Sequence, residues 1–182
     1  IVLNANNMND FPVQFQQQGV SQFSSTDGGL NWNGTIAVVP KSKVDPAAAI
    51  DRNGCFYLGY VTEIRGVGVA HSTDSGATWT PVNVDPGISN KPHLWVDNNQ
   101  SSPDAGNLYC AWTNFIVGHA NFHDIELRRS IDGGVNWLDP ETGINLSDGI
   151  TPGINQGVDI QTGPNGEVYV VWAIDDHIIT EN

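Results

Sequence analysis

Positive charge is scarce in this sequence. Seven Lys and Arg stand against 20 Asp and Glu, a net charge of −13 over 182 residues. A nucleic-acid partner needs a basic footprint, and so does an anionic membrane surface, so neither is expected here. The acidity itself reads as solubility. No run approaches the roughly 18 apolar residues of a membrane-spanning helix, and no stretch carries the period of a long amphipathic one. Cysteine is scarce too: Cys55 and Cys110 are the only two, without metal-ligand spacing. Each sits in an apolar run, "CFYLGY" and "LYCAW", and reads as a buried free thiol. There is no initiator Met and no secretory leader; the chain opens on "IVLNA". That suits a mature secreted chain or an excised piece. Glycine and proline are plentiful instead, 20 and 10 residues. This composition favours short strands joined by turns, in a chain long enough for one domain with its own core.

One phrase occurs three times: "SSTDGGLNW" (24–32), "HSTDSGATW" (71–79) and "RSIDGGVNW" (129–137). It reduces to S-x-D-x-G-x-x-W, carried by Ser25, Asp27, Gly29 and Trp32, by Ser72, Asp74, Gly76 and Trp79, and by Ser130, Asp132, Gly134 and Trp137. Around each copy lie short apolar or alternating runs with turn residues between them. Tyr57/Tyr60, Tyr109/Trp112 and Tyr169/Trp172 hold matching places upstream. Each unit therefore reads as four antiparallel strands, A to D, and units of roughly 50 residues of this kind are propeller blades. The phrase falls on the C–D hairpin. There the Asp accepts backbone N–H groups within the turn, the Gly supplies a positive φ, and the Trp opens strand D to pack between blades. Repetition suits a fold element that every blade needs once.

The phrase is identified as an Asp-box, or BNR repeat, and the sequence resembles the sialidase-like Asp-box β-propellers over nearly its whole length. Its wider pattern, "KPHLWVD", "GNLYCAW" and "GPNGEVYVVW", looks most like secreted bacterial BNR-repeat proteins. The resemblance implies an all-β propeller of four-stranded blades, here about three and a half of them in one partial domain, residues 1–182. The blades are expected at about 1–40, 41–86, 87–150 and an incomplete 151–182. The first lacks strand A. In the last, Ile178 takes the place held by Val20, Val67 and Ile125, five residues before the Ser of each phrase. Such an open ring is expected to be a fragment of a longer protein or to close on a second chain.

Strand alternation assigns the loops to two faces. The C–D and A–B turns share one. The longer and more varied B–C and D–A loops share the other, where function on a rigid scaffold usually lies. Strand A lines the central channel. Aligned units place Asp45, Lys91 and Gly157 at its start, then Ala47, His93 and Asp159, then Ala49, Trp95 and Gln161. Asp45, Lys91, His93 and Asp159 are therefore candidate ligand contacts, with Glu63 and Arg65 from a B–C loop of the same face. His119, His123 and Asp124 crowd another B–C loop; they read as surface polar residues, and no metal or cofactor is expected.

The sialidases of the resembled family grip the substrate carboxylate with three arginines, and add a Tyr/Glu nucleophile pair and an Asp acid/base. This chain has four arginines. Arg52 falls on the Asp-box face, Arg128 and Arg129 lie in strand C beside the box, and only Arg65 is on the loop-rich face. The family's Arg-Ile-Pro motif is absent; "DFPVQ" (10–14) is the nearest stretch. A sialidase site complete within this chain is not expected. Glu63, Asp85, Glu141, Asp148, Asp175 and Asp176 remain as carboxylates on the loop-rich face. Phe11, Phe15, Phe115 and Phe122 are aromatics that stack on sugars, anchor a protein partner, or staple loops. The expectation is a secreted or cell-surface propeller that binds a glycan or an extracellular protein without catalysis. The alternative is a sialidase-like glycoside hydrolase whose site is completed by missing blades. Cys55 and Cys110 fall on adjacent B strands three residues out of register, near 10 Å along a strand, too far for a disulfide.

Overall fold

The computed structural model describes residues 2–9, 16–35, 39–115, 123–138, 144–147 and 154–175. Among them there is no helix. The strands are β1 (Val2–Asn9), β2 (Gln16–Ser24), β3 (Asn33–Thr35), β4 (Ser42–Ile50), β5 (Phe56–Thr62), β6 (Val67–Ser72), β7 (Thr80–Asp85), β8 (Ser89–Val96), β9 (Leu108–Phe115), β10 (His123–Ser130), β11 (Ile144–Asn145), β12 (Ile154–Thr162) and β13 (Val168–Asp175). They form antiparallel meanders, each strand pairing with the next: β1-β2-β3, β4-β5-β6-β7, β8-β9-β10-β11 and β12-β13. These are the blades of a partial β-propeller. A single parallel pair, His123 with Ile154, ties the third to the fourth. Ile178 falls outside the described residues.

Strand alternation builds one apolar core per seam between blades. On β5, Leu58 and Tyr60 turn towards the first blade and pack with Val20, Val39, Ala70 and Trp79. Tyr57, on the opposite face of the same strand, packs with Leu94, Leu108, Cys110 and Trp112 of the third blade. On β9 the alternation repeats: Tyr109 and Ala111 face Val158 and Ile160 of the fourth blade. Each middle blade thus buries both faces, which is why its strands read as nearly continuous apolar runs.

The repeated phrase closes the same turn three times. Ser25, Ser72 and Ser130 each donate Oγ–H to the following Asp Oδ1 at 2.7, 2.7 and 2.8 Å. The same Oγ accepts the N–H of Gly29, Gly76 and Gly134 at 2.9 Å in all three. The Asp Oδ1 accepts the backbone N–H of Asn31, Thr78 and Asn136 at 3.0, 2.8 and 2.9 Å. Its Oδ2 takes a side-chain bond from each of the same residues. Gly29, Gly76 and Gly134 have φ of 94°, 86° and 84°, a region costly for any residue with a Cβ. Hydrogen bonds to the charged form hold these carboxyls well below the usual Asp range, Asp74 and Asp132 at about 2.

Four expectations are corrected. Trp79 and Trp137 pack into the seam with the preceding blade, but Trp32 is 38% exposed, because no blade precedes its own among the described residues. The fourth strand of the third blade is broken: Leu138 makes one bridge to Arg129, and pairing resumes only at Ile144–Asn145. Cys55 is half-buried in the turn ahead of β5, where Asp51 caps its N–H, rather than buried on the strand. Both cysteines are free, and burial pushes the Cys110 thiol up. Finally, Asp45, Lys91 and Gly157 lie inside β4, β8 and β12, not at their starts.

Candidate functional site at the inner strands

That last correction builds the site. Each of these inner strands carries an extra residue at the same place against its partner: the register slips between Val44 and Ala47, between Asn90 and His93, and between Gln156 and Asp159, and β4 slips once more between Ser42 and Val44. Asp45, Lys91 and Gly157 sit at these bulges with φ of 54°, 49° and 70°. Bulges re-aim side chains, and they recur beside functional sites. Pro46 and Pro92 follow two of them, tolerated because an inner strand is the edge of its blade. Glycine adopts a left-handed φ freely; Asp and Lys hold it at a cost of order 1–3 kcal/mol, which persists only where the surroundings enforce it.

The enforcement crosses three blades. The N–H of Lys91 donates to Asp45 Oδ2 at 3.2 Å. Lys91 Nζ donates to Gln156 Oε1 at 3.0 Å. Gln156 Nε2 lies 3.5 Å from His123 Nδ1, and the His123 ring meets Phe115 edge-on with centroids 4.3 Å apart. One residue pair further along, His93 Nε2 lies 3.4 Å from Asp159 Oδ1. A Cβ built on Gly157 would meet nothing within 4 Å, so the ring of side chains is open on that blade. The four inner-strand candidates meet in two pairs, Asp45 with the Lys91 backbone and His93 with Asp159.

Other candidates fall elsewhere. Glu63 and Arg65 lie on the β5–β6 turn; Arg65 has a φ of 71°, and its carbonyl accepts the N–H of Ser89 at 2.8 Å. His123, expected on a surface loop, opens β10, and burial pushes its pKa down. Among the described residues no cluster fits a metal ion. His119, Glu141, Asp148, Asp176, Phe11, Phe15 and Phe122 lie outside the described residues.

Asp85 and Arg128 are the larger surprise. Asp85, expected as a carboxylate of a loop on the loop-rich face, is buried at the end of β7. Its Oδ2 accepts Gly87 N–H at 2.8 Å and the Ser89 hydroxyl at 3.2 Å. Arg128 reaches from β10 to its Oδ1 at 3.7 Å and donates to the Val84 carbonyl. Glu126, which sequence reading passed over, is buried beside them. It accepts from Asn114, and burial pushes its carboxyl up. The signal was present in "DIELRR": alternation puts Asp124, Glu126 and Arg128 on one face of β10, opposite Ile125 and Leu127.

No protein-family model matches the chain, and no curated protein does. Among solved structures it is similar to a protein of unknown function from Dyadobacter fermentans, at TM-score 0.58 and 18% identity over 86% of this chain and 44% of that one. It is similar to a xylan β-1,4-xylosidase from Bacillus halodurans, at TM-score 0.53 and 16% identity over 84% and 31%. A GH43 protein from Bacillus licheniformis gives TM-score 0.52 and 14% identity over 94% and 33%. The chain thus spans less than half the length of each. These likenesses show the fold.

Proposed function

We propose that this chain is part of a sialidase-like Asp-box propeller, secreted or displayed at a cell surface, that binds a glycan at the inner strands without catalysis. One observation carries the reading: Asp45 and Lys91 are held in left-handed backbone and linked across three blades to Gln156. Strain of this kind, maintained around an opening, supports a binding role. The group offers ammonium, imidazole, amide and carboxylate to a ligand's hydroxyls. Further blades, or a second chain, close the ring; exposed Trp32 at one end and exposed Tyr169 and Val171 at the other are the faces left for them. The test is calorimetric titration of xylo-, arabino- and sialo-oligosaccharides. Lys91→Ala should weaken binding about tenfold or more, the size of one lost charge-assisted contact. Unchanged binding sinks the reading.

The second reading is a glycoside hydrolase completed by blades beyond those described. Its support is the likeness in fold to a xylosidase and a GH43 protein, and fold alone does not carry activity. Turnover of aryl xylosides, arabinosides or sialosides by the intact source protein, and its loss on Asp45→Asn or Asp159→Asn, would establish it instead.

A further inference from the structure

A cavity of about 320 Å³ opens on the second blade, between the β3–β4 link, the β5–β6 turn and β7, on the loop-rich side. A local change in the repeat lies beside it. Val67 and Ile125 hold equivalent places, so Gly68 and Ala70 on β6 correspond to Glu126 and Arg128 on β10. Tyr60, paired with Gly68, corresponds to Trp112, paired with Glu126. In the third blade the large pair fills the seam. In the second the Tyr60 ring sits against Gly68, 2.6 Å from where a Cβ would stand, Ala70 is buried in the seam's own core with Val20 and Val39, and the cavity lies beside Tyr60.

We propose that this cleft binds a short neutral saccharide, at a site separate from the inner-strand group. Pro40 and Pro81 give it aliphatic walls, suited to the C–H face of a sugar ring. Tyr60, Thr62 and Asn83 put two hydroxyls and an amide among them. Thr62 Oγ1 already accepts the Gly66 N–H at 3.0 Å, which leaves its proton to donate. A purely apolar ligand would leave these groups unpaired; adjacent sugar hydroxyls both donate and accept. The rim carries one charge of each sign, Lys41 and Glu63, so it favours no net charge, and the chain's −13 weighs against an anion.

The rim is preformed. The Glu63 N–H donates to the Lys41 carbonyl at 3.0 Å, and the Arg65 N–H donates to the Thr62 carbonyl at 2.9 Å. Lys41 and Arg65 both hold left-handed backbone, φ 63° and 71°. A ligand therefore meets a shaped cleft and does not have to order one. Its volume lies at the small end of ligand sites, on the order of one or two sugar rings.

The experiment is a ¹⁵N-correlation titration of the whole chain with xylobiose as the probe and glucuronate as the charged comparison. The expected result is saturable shifts at Thr62, Glu63 and Asn83. Asn83→Trp, which fills the cleft from an exposed position, should weaken binding about tenfold or more without moving the thermal midpoint. Tyr60→Phe should weaken it about threefold to tenfold, as one hydrogen bond is lost. Lys91→Ala should change nothing at these residues. No saturable shifts there, shifts that survive Asn83→Trp, or tighter binding of glucuronate would overturn the proposal. Shifts confined to Asp45, Lys91 and Asp159 would overturn it while leaving the inner-strand reading standing.

Discussion

Two seams of this propeller have the same strand register and different fillings. Between the second and third blades, Trp112 is fully buried and Asp85, Glu126 and Arg128 form a charged cluster beside it. Between the first and second, Gly68, Ala70 and Tyr60 stand in the corresponding places, and a cleft opens beside Tyr60. The repeated turn is the same in both blades to within 0.1 Å in its Ser–Gly and Ser–Asp bonds. What varies between blades is therefore the seam, not the turn. The hairpins stay constant between these two blades while the residues where blades meet change.

The filled seam should be the more fragile. Arg128→Ala removes the cation that stands 3.7 Å from Asp85 Oδ1. Asp85 and Glu126 are then two buried carboxylates without it. Breaking a buried pair from one side costs about 3–5 kcal/mol. Urea unfolding at neutral pH should show a loss of that size. Asp85→Ala combined with Arg128→Ala should cost less than the sum of the two single changes, because the partners share one interaction. Additive losses would mean that the cluster is not a unit.

The seam with the smaller residues should respond to added volume. Gly68→Ala drives a methyl group into the Tyr60 ring, and overpacking of this kind costs about 1–3 kcal/mol. It should also displace the ring into the cleft and abolish the xylobiose shifts at Thr62 and Asn83. A variant with full stability and unchanged shifts would show that the Gly68–Tyr60 contact does not shape the cleft.

The contrast between turn and seam also marks what was legible in the sequence. The phrase S-x-D-x-G-x-x-W is local: its Ser, Asp and Gly bond within five residues, so spacing alone exposes it. Blade architecture followed from repeating it, as did the facing of His93 and Asp159 on neighbouring inner strands. The bulges were not legible, because an extra residue in a strand appears only once its partner's register is known. Nor was the fate of Arg128. Sequence puts it beside the turn; the fold carries its side chain into the neighbouring seam, to Asp85, 43 positions away in sequence. Trp32 matches Trp79 and Trp137 in sequence and differs in burial, since burial belongs to the neighbouring blade.

The smallest expected effects are those of pH, and they separate the two kinds of carboxylate by sign. Asp74 and Asp132 are lowered from 3.8 to about 2 by the turn's own hydrogen bonds. Their contribution is present above pH 4 and is lost as the pH falls towards 2, where the folded state protonates last. Glu126 works in reverse. Burial raises it above its ordinary 4.5, so the unfolded chain ionises first and stability declines as the pH rises past that value. Glu126→Gln keeps an acceptor for Asn114 and removes the buried ionisation. It should raise the thermal midpoint slightly at pH 7, change little at pH 4, and flatten the slope between them. Asp74→Asn should flatten the acid limb below pH 4 and leave the neutral limb alone. The same slope change from both variants would mean that the turn and the seam are not electrostatically distinct.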